Sequence, residues 1–258
     1  MELLKANYFD TTTGFVVNSA TDTAEFVLLA DTTFQYVSSG FNNDLTVASM
    51  RFNFSETVTI SRIALAGINL KEFIIFYNGA TANTFALTST GATTASSWNA
   101  NSETGLYLQC TPQACTSMTL EMKKTTTANS EKAVGYFVAT QEHIDFSRIP
   151  SAKNYSPMVI PEEVVHRLST GDTRIQSVAD KWSFDIKLEY ITTALRDSLY
   201  TIYRLHDGMI FVPFGTTTSW DKVIAPVVWA GPFNFFKHSD NAVGTGFEGS
   251  IKLMETTP

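Results

Sequence analysis

The sequence predicts a mainly β protein, with an N-terminal antiparallel β-sandwich and a C-terminal β-barrel-like or β-sandwich domain that carries one helix. Three observations lead there. The chain is 44% hydrophobic and only 17% charged, with 19 Phe and many Thr, and β-branched and aromatic side chains fit a pleated, half-buried surface better than a helix. Short runs of alternating polarity recur along its length, and one stretch alone has helical spacing. At 258 residues the chain suits one large or two ordinary domains, because single cores tend to split at about 250 residues.

The first half reads as strands separated by polar loops. RFNF and TVTI alternate briefly, and FIIFYNG is an apolar strand ending in Asn78-Gly79, a dipeptide suited to the positive φ angles of a tight turn. A loop rich in Thr, Ser, Ala and Asn follows from Thr81 to Thr104. GLYLQC, SMTLEMK and AVGYFVA come next, with Met118, Leu120 and Met122 on one face of the second. Apolar faces alternating with Thr, Glu and Lys imply sheets buried on one side and wet on the other. RIPSAKNYSPMVIPEE holds three of the eight prolines, which remove ladder donors. The expected boundary lies near Arg148, giving domains 1–148 and 149–258.

In WSFDIKLEY, Trp182, Phe184, Ile186, Leu188 and Tyr190 alternate with Ser183, Asp185, Lys187 and Glu189, a strict period of two that reads as a strand. The period then changes. Leu195, Leu199, Ile202 and Tyr203 fall on one helical face, with Thr193 as the expected N-cap and Gly208 past the last turn. MIFVPF, PVVWAGPFNFF and GSIKLME follow as strands. VVWAGPFNFF, from Val227 to Phe236, is apolar at both parities but broken by Gly231 and Pro232, so it reads as a strand pair or a bulged strand in a core rather than a membrane anchor.

Chemical signals are sparse. GTGFEG, from Gly244 to Gly249, has dinucleotide-fingerprint spacing but precedes a strand instead of opening a helix, so it reads as a turn into the last strand. The four histidines are scattered without metal-ligand spacing. Glu162-Glu163 after Pro161 reads as the start of a turn or short helix, and Asp31, Asp44 and Asp240 lack a calcium-loop pattern. Cys110 and Cys115 read as free thiols, a small disulfide loop being the alternative. No catalytic residue, metal site or cofactor is expected. A net charge of −7 without a basic cluster argues against sequence-specific nucleic-acid binding, and no run of about 20 apolar residues suggests a membrane span. Sugar binding has more to recommend it, because aromatic faces and amides grip sugar rings. Tyr36, Phe41 and Trp98, the last stranded in TTASSWNANSE, are the candidate glycan or partner contacts.

LLADTTFQYVSSG, SRIALAGINLKEFIIFYNG and TSMTLEMKKTTTANSEKAVGYFVA together resemble, over about residues 20 to 140, the discoidin-like or galactose-binding-like jelly roll. WSFDIKLEY, the helix through LRDSLYTIY, FVPFGTTTSWDKV, VVWAGPFNFF and GFEGSIKLMET resemble domains of tailed-bacteriophage tail and baseplate proteins of the distal-tail or tail-tube kind. This second resemblance covers about residues 160 to 258 through Trp229, Gly231 and Phe233, then Gly246, Gly249, Ile251, Leu253 and Glu255. It implies a structural virion subunit, assembled in the host cytoplasm, that forms homo-oligomeric rings and contacts other tail or baseplate subunits. The expectation is thus a non-enzymatic structural component displaying a β-sandwich. The alternative is a carbohydrate-binding module for a host or surface glycan, and a glycan hydrolase stands third.

Overall fold

A computed structural model describes residues 1–5, 12–17, 36–37, 44–78, 95–98, 101–102, 105–146, 154–167, 173–205, 208–213, 225–241 and 244–256. In chain order these form β1 (Glu2–Leu4), β2 (Thr12–Val17), β3 (Tyr36–Val37), β4 (Ala48–Ala66), β5 (Leu70–Asn78), β6 (Ala95–Trp98), β7 (Gly105–Thr125) and β8 (Ala133–Val134). There follow β9 (Tyr136–Thr140), β10 (His143–Asp145), β11 (Tyr155–Arg167), β12 (Thr173–Ile191), α1 (Thr193–Leu205), β13 (Met209–Val212), β14 (Ala225–Trp229), β15 (Asn234–Asn241) and β16 (Gly244–Glu255). The molecule is mainly β with antiparallel sheets, as the composition requires. The helix is too short to cross a membrane.

The chain divides into two compact units. One comprises Met1–Lys5, Ile144–Phe211 and Ala225–Pro258; the other comprises Ala6–His143 and Val212–Ile224. Met1–Lys5 therefore groups with the C-terminal half, and residues 6–143 are an insertion after the first strand. The fully buried Leu3 and the place of β1 between β10 and β13 in the sheet explain that grouping. Phe146 N also donates to Met1 O at 3.1 Å. The expected boundary near Arg148 falls outside the described residues.

The inserted unit is built on two long strands. β4 pairs with β7, which also pairs with β5, while β2 and β9 flank the two halves of β4. RFNF and TVTI, separate in the sequence reading, are halves of β4, and GLYLQC and SMTLEMK are halves of β7. A register shift between Asn53 and Val58 bends the long pair, as bulges do. Met118, Leu120 and Met122 are fully buried on one face, as their alternation predicts, beside Phe73, Ile75, Met50 and Phe137. The Phe52 and Phe137 rings meet edge to face with centroids 5.5 Å apart. The other face is not wet here, since Thr119 and Glu121 are buried as well.

In the other unit the strand order is β10-β1-β13-β14-β16-β12-β11, with β15 also on β16. Phe184, Ile186 and Leu188 point into the core with Phe211, Val227, Ile251 and Leu253. The alternation ends one residue sooner than WSFDIKLEY suggests. Tyr190 has φ of +57° and is 59% exposed, while Ile191 is buried. The register to β16 shifts between Leu188 and Ile191, so a bulge swaps the inward position to the isoleucine. Thr192 Oγ1 accepts from Leu195 N at 3.2 Å, making Thr192, not Thr193, the helix cap. Leu199 and Ile202 are the buried residues of α1.

VVWAGPFNFF resolves into two strands on one partner. Leu253 pairs with both Phe184 and Trp229, and Ser250 with both Lys187 and Asn234. β14 and β15 therefore lie end to end on the side of β16 away from β12, a single edge interrupted at Gly231 and Pro232. Ala230 N donates to Lys252 O across the interruption at 2.8 Å. Trp229 and Phe233 are half-buried against Tyr203 and Tyr200 of α1, with ring centroids 5.1–5.5 Å apart, and Phe235 packs on Phe233 at 4.8 Å. GTGFEG lies within β16 rather than in a turn before it, and Glu162-Glu163 sits at a bulge in β11 rather than at a helix start.

Two substitutions test this geometry. A bulky residue in the left-handed region costs about 1–2 kcal/mol, so Tyr190→Gly is expected to stabilise the fold by on the order of 1 kcal/mol in chemical denaturation. A Cβ on Gly249 would collide with Asn234 O and the Phe235 ring. Gly249→Ala is therefore expected to destabilise by on the order of 1–3 kcal/mol.

Candidate functional site

The residues singled out for partner contact fall in the inserted unit. Tyr36 is in β3, whose partner is β8 through Tyr36↔Val134. Trp98 closes β6, the edge strand of the six-stranded sheet, and pairs with Phe73. The two thus stand on different sheets, and their side chains, like the whole of Phe41, lie outside the described set. The Thr81–Thr104 segment that precedes and follows Trp98 is described only at residues 95–98 and 101–102. There Asn101 Nδ2 donates to Leu70 O at 2.7 Å, and Asn101 N to Lys71 O at 2.9 Å. These bonds tie the chain just past Trp98 to the start of β5.

The titratable groups reveal little chemistry. Cys110 is half-buried and Cys115 buried, and both are free. Burial pushes the Cys115 thiol up to about 12 and raises Cys110 too, so neither is a thiolate nucleophile at neutral pH. Asp44 Oδ1 accepts from Thr125 N at 3.3 Å, a loop-fixing role. His143 lies with Nε2 3.1 Å from Arg62 Nη2, while His166 is exposed on β11. Among the described residues no three His, Cys, Asp or Glu side chains cluster as metal ligands would.

The sheet of the other unit offers two surface features. The first is an open cleft of about 770 Å³, within the ~300–1,000 Å³ usual for small-molecule sites. It lies on the face of β12, β15 and β16 opposite the core, and period two explains its lining. Phe184 and Ile186 face inward, so Asp185 and Lys187 face out; Phe233 and Phe235 pack against the core, so Asn234 and Phe236 face the cleft. The cross-strand pairs Lys187↔Ser250↔Asn234 and Glu248↔Phe236 align these groups in rows. Lys187 Nζ sits 2.9 Å from Glu248 and 3.2 Å from Glu189, and these carboxylates raise its pKa, Glu248 most. Asn154 O accepts from Lys187 N at 2.7 Å, closing the β11 end. Phe236 is 65% exposed.

The second feature is the edge strand β11. Met158, Val159 and Ile160 are 42%, 47% and 36% exposed. Consecutive strand residues point to opposite faces, so β11 is uncovered on both sides there. Pro157 and Pro161 flank the run and pair with Phe184 and Asp180. Strand prolines belong where the missing N–H would face away from the ladder, which makes this edge a poor template for an added strand. Its adhesive groups are the three apolar side chains.

Sequence reasoning did not single out the cleft, although its signal is present. The parity that buries Phe184 also exposes Asp185 and Lys187, and NFF after Pro232 places an aromatic on each face. What the sequence could not give is the pairing of β12 and β15 on opposite sides of β16.

No known protein family and no curated protein matches the sequence. Among solved structures, chitosan-binding module 1 of a chitosanase/glucanase from Paenibacillus sp. IK-5 is similar at 11% identity and a TM-score of 0.42, covering 52% of this chain and 98% of that one. A module from Clostridium perfringens in complex with GalNAc-beta-1,3-galactose is similar at 9% identity and a TM-score of 0.40, covering 52% of this chain and 99% of that one. A fucose-binding module from Streptococcus pneumoniae is similar at 10% identity and a TM-score of 0.35, covering 54% of this chain and 96% of that one. At these identities and scores the likenesses assign neither a family nor a ligand to this chain.

Proposed function

We propose that the protein is a carbohydrate-binding subunit, without enzymatic activity, whose recognition module is the inserted β-sandwich of residues 6–143. The observation that carries this reading is the place of Trp98 at the end of an edge strand, directly after a segment rich in Thr, Ser and Asn. An indole flanked in sequence by hydroxyl and amide side chains is the equipment for stacking on a sugar ring while bonding its hydroxyls. A net charge of −7 disfavours polyanionic partners, which leaves an uncharged, hydroxyl-rich ligand. Tyr36 and Phe41 are the further candidates for contact. The insertion itself supports a recognition role, because the module completes its own core and leaves that of the other unit intact.

On a glycan array the intact chain is expected to bind a subset of neutral glycans. Trp98→Ala should weaken that binding at least tenfold while shifting the melting temperature by no more than a few degrees. Full binding by the variant, or a large loss of stability, would remove the indole from the site.

A second, compatible reading is favoured by β11. Three consecutive exposed apolar residues on both faces of an edge hairpin are an adhesive surface of the kind that marks protein contacts. Here the unit holding β11 assembles as a structural subunit, in keeping with the resemblance to phage tail and baseplate proteins. The chain would then reside in a virion, in a homo-oligomeric ring with other tail subunits. Sedimentation at rising concentration should reveal a defined oligomer, and Val159→Lys should shift it toward monomer without lowering the melting temperature. A wild-type chain that remains monomeric throughout contradicts this reading.

A further inference from the structure

We propose that the cleft on the outer face of β12, β15 and β16 is a second saccharide site, separate from the inserted sandwich and selective for neutral sugars. The inference rests on the carbohydrate-binding reading for its biological sense but on different residues for its chemistry.

Four properties of the cleft define the ligand. Its volume of about 770 Å³ accommodates a small-molecule ligand, and its open shape admits a chain longer than itself. Phe236, with 65% of its surface exposed, stands at one end as an aromatic platform in a position where solvation of a bare ring is unfavourable. Asn154, Asn234 and Ser250 line it beside the charged groups, presenting donors and acceptors in the mixed pattern that matches hydroxyl groups, each of which both donates and accepts. Finally, its charges balance: the carboxylates of Asp185 and Glu248 line it together with the ammonium groups of Lys187 and Lys237. Lys187 is held between Glu248 and Glu189, so it is engaged with carboxylates rather than presented to an anion. A phosphate or carboxylate ligand would meet no excess of positive charge, and a cation no excess of negative charge. A neutral polyhydroxylated ring satisfies the amides and carboxylates and covers the phenyl face.

The hydrogen-bonded ladder spaces the lining residues. Gly249 on the cleft floor lets Asn234 O and the Phe235 ring approach β16 more closely than any Cβ would permit, which fixes the step between Asn234 and Phe236. Preorganised groups lose less entropy on binding.

The test uses the intact chain and titrates it calorimetrically with cellotriose, lactose and triacetylchitotriose as neutral probes, and with sialyllactose as an anionic one. The wild type is expected to bind a neutral probe at two sites. Phe236→Ala and Asp185→Asn should each remove one of them, with at least a tenfold loss of affinity there, while Trp98→Ala leaves that site unchanged. Because Phe236 is outside both cores, its loss should leave the melting temperature unaltered; a variant that unfolds is replaced by Phe236→Ser, read by the same stoichiometry. Binding at a single site that responds to Trp98→Ala but not to Phe236→Ala overturns the cleft and leaves the sandwich reading standing. Binding confined to the cleft supports it and overturns the sandwich. Preference of the cleft for sialyllactose overturns its neutrality, and no binding of any probe overturns both sites.

Discussion

The pairing of β12 with β16 is the constraint on which the surface of the C-terminal unit depends. It sets Phe184 against Leu253 and Ile186 against Ile251, and these pairs form the centre of the core. The same register places Asp185 and Lys187 on the opposite face beside Lys252 and Ser250. A one-residue slip would exchange the two faces, exposing the core and burying the charges of Asp185, Lys187 and Lys252. The bulge at Tyr190 marks where this register ends and the chain turns toward α1. Core and cleft are thus two sides of one alternation, held by the same hydrogen-bonded ladder.

Each of the two units has a core of its own. Residues 6–143 depart after β1, and the chain re-enters the C-terminal unit at β10, which neighbours β1 in the sheet. Loop closure costs grow slowly with length, so a long insertion between neighbouring strands is tolerated, provided the inserted segment folds around its own core. It does: Phe73, Ile75, Met118, Leu120, Met122 and Phe137 are fully buried within it. The other unit leaves Met158, Val159 and Ile160 of β11 uncovered, between prolines that discourage strand addition.

Much of the fold was legible because burial writes itself into sequence with period two. Met118, Leu120, Met122, Phe184, Ile186 and Leu188 were readable as inward residues, and Leu199 and Ile202 as the buried face of the helix. Long-range pairing was not legible. Nothing local says that RFNF and TVTI are one strand, since the bulge joining them depends on β7. Nor does it say that Trp229 and Asn234 share β16 as partner. Pro232 and Gly231 announced an interruption but not its collinear outcome. The grouping of Met1–Lys5 with distant strands is likewise invisible to spacing, because Glu2–Leu4 is too short for a periodic signal. The candidate contacts Tyr36 and Trp98 were chosen by chemistry, and the structure places them on different sheets. The cleft, by contrast, was encoded by the parity of Asp185, Lys187, Asn234 and Phe236, yet it emerges only when β12 and β15 flank the same strand.

The most direct measurement is hydrogen exchange of the intact chain, followed by peptide, with and without a saturating neutral oligosaccharide and at low and high protein concentration. The account predicts slower exchange on adding sugar in the peptides around Trp98 and across β12, β15 and β16, with the β11 peptides responding to protein concentration instead. Unchanged exchange at every peptide in the presence of sugar would contradict it.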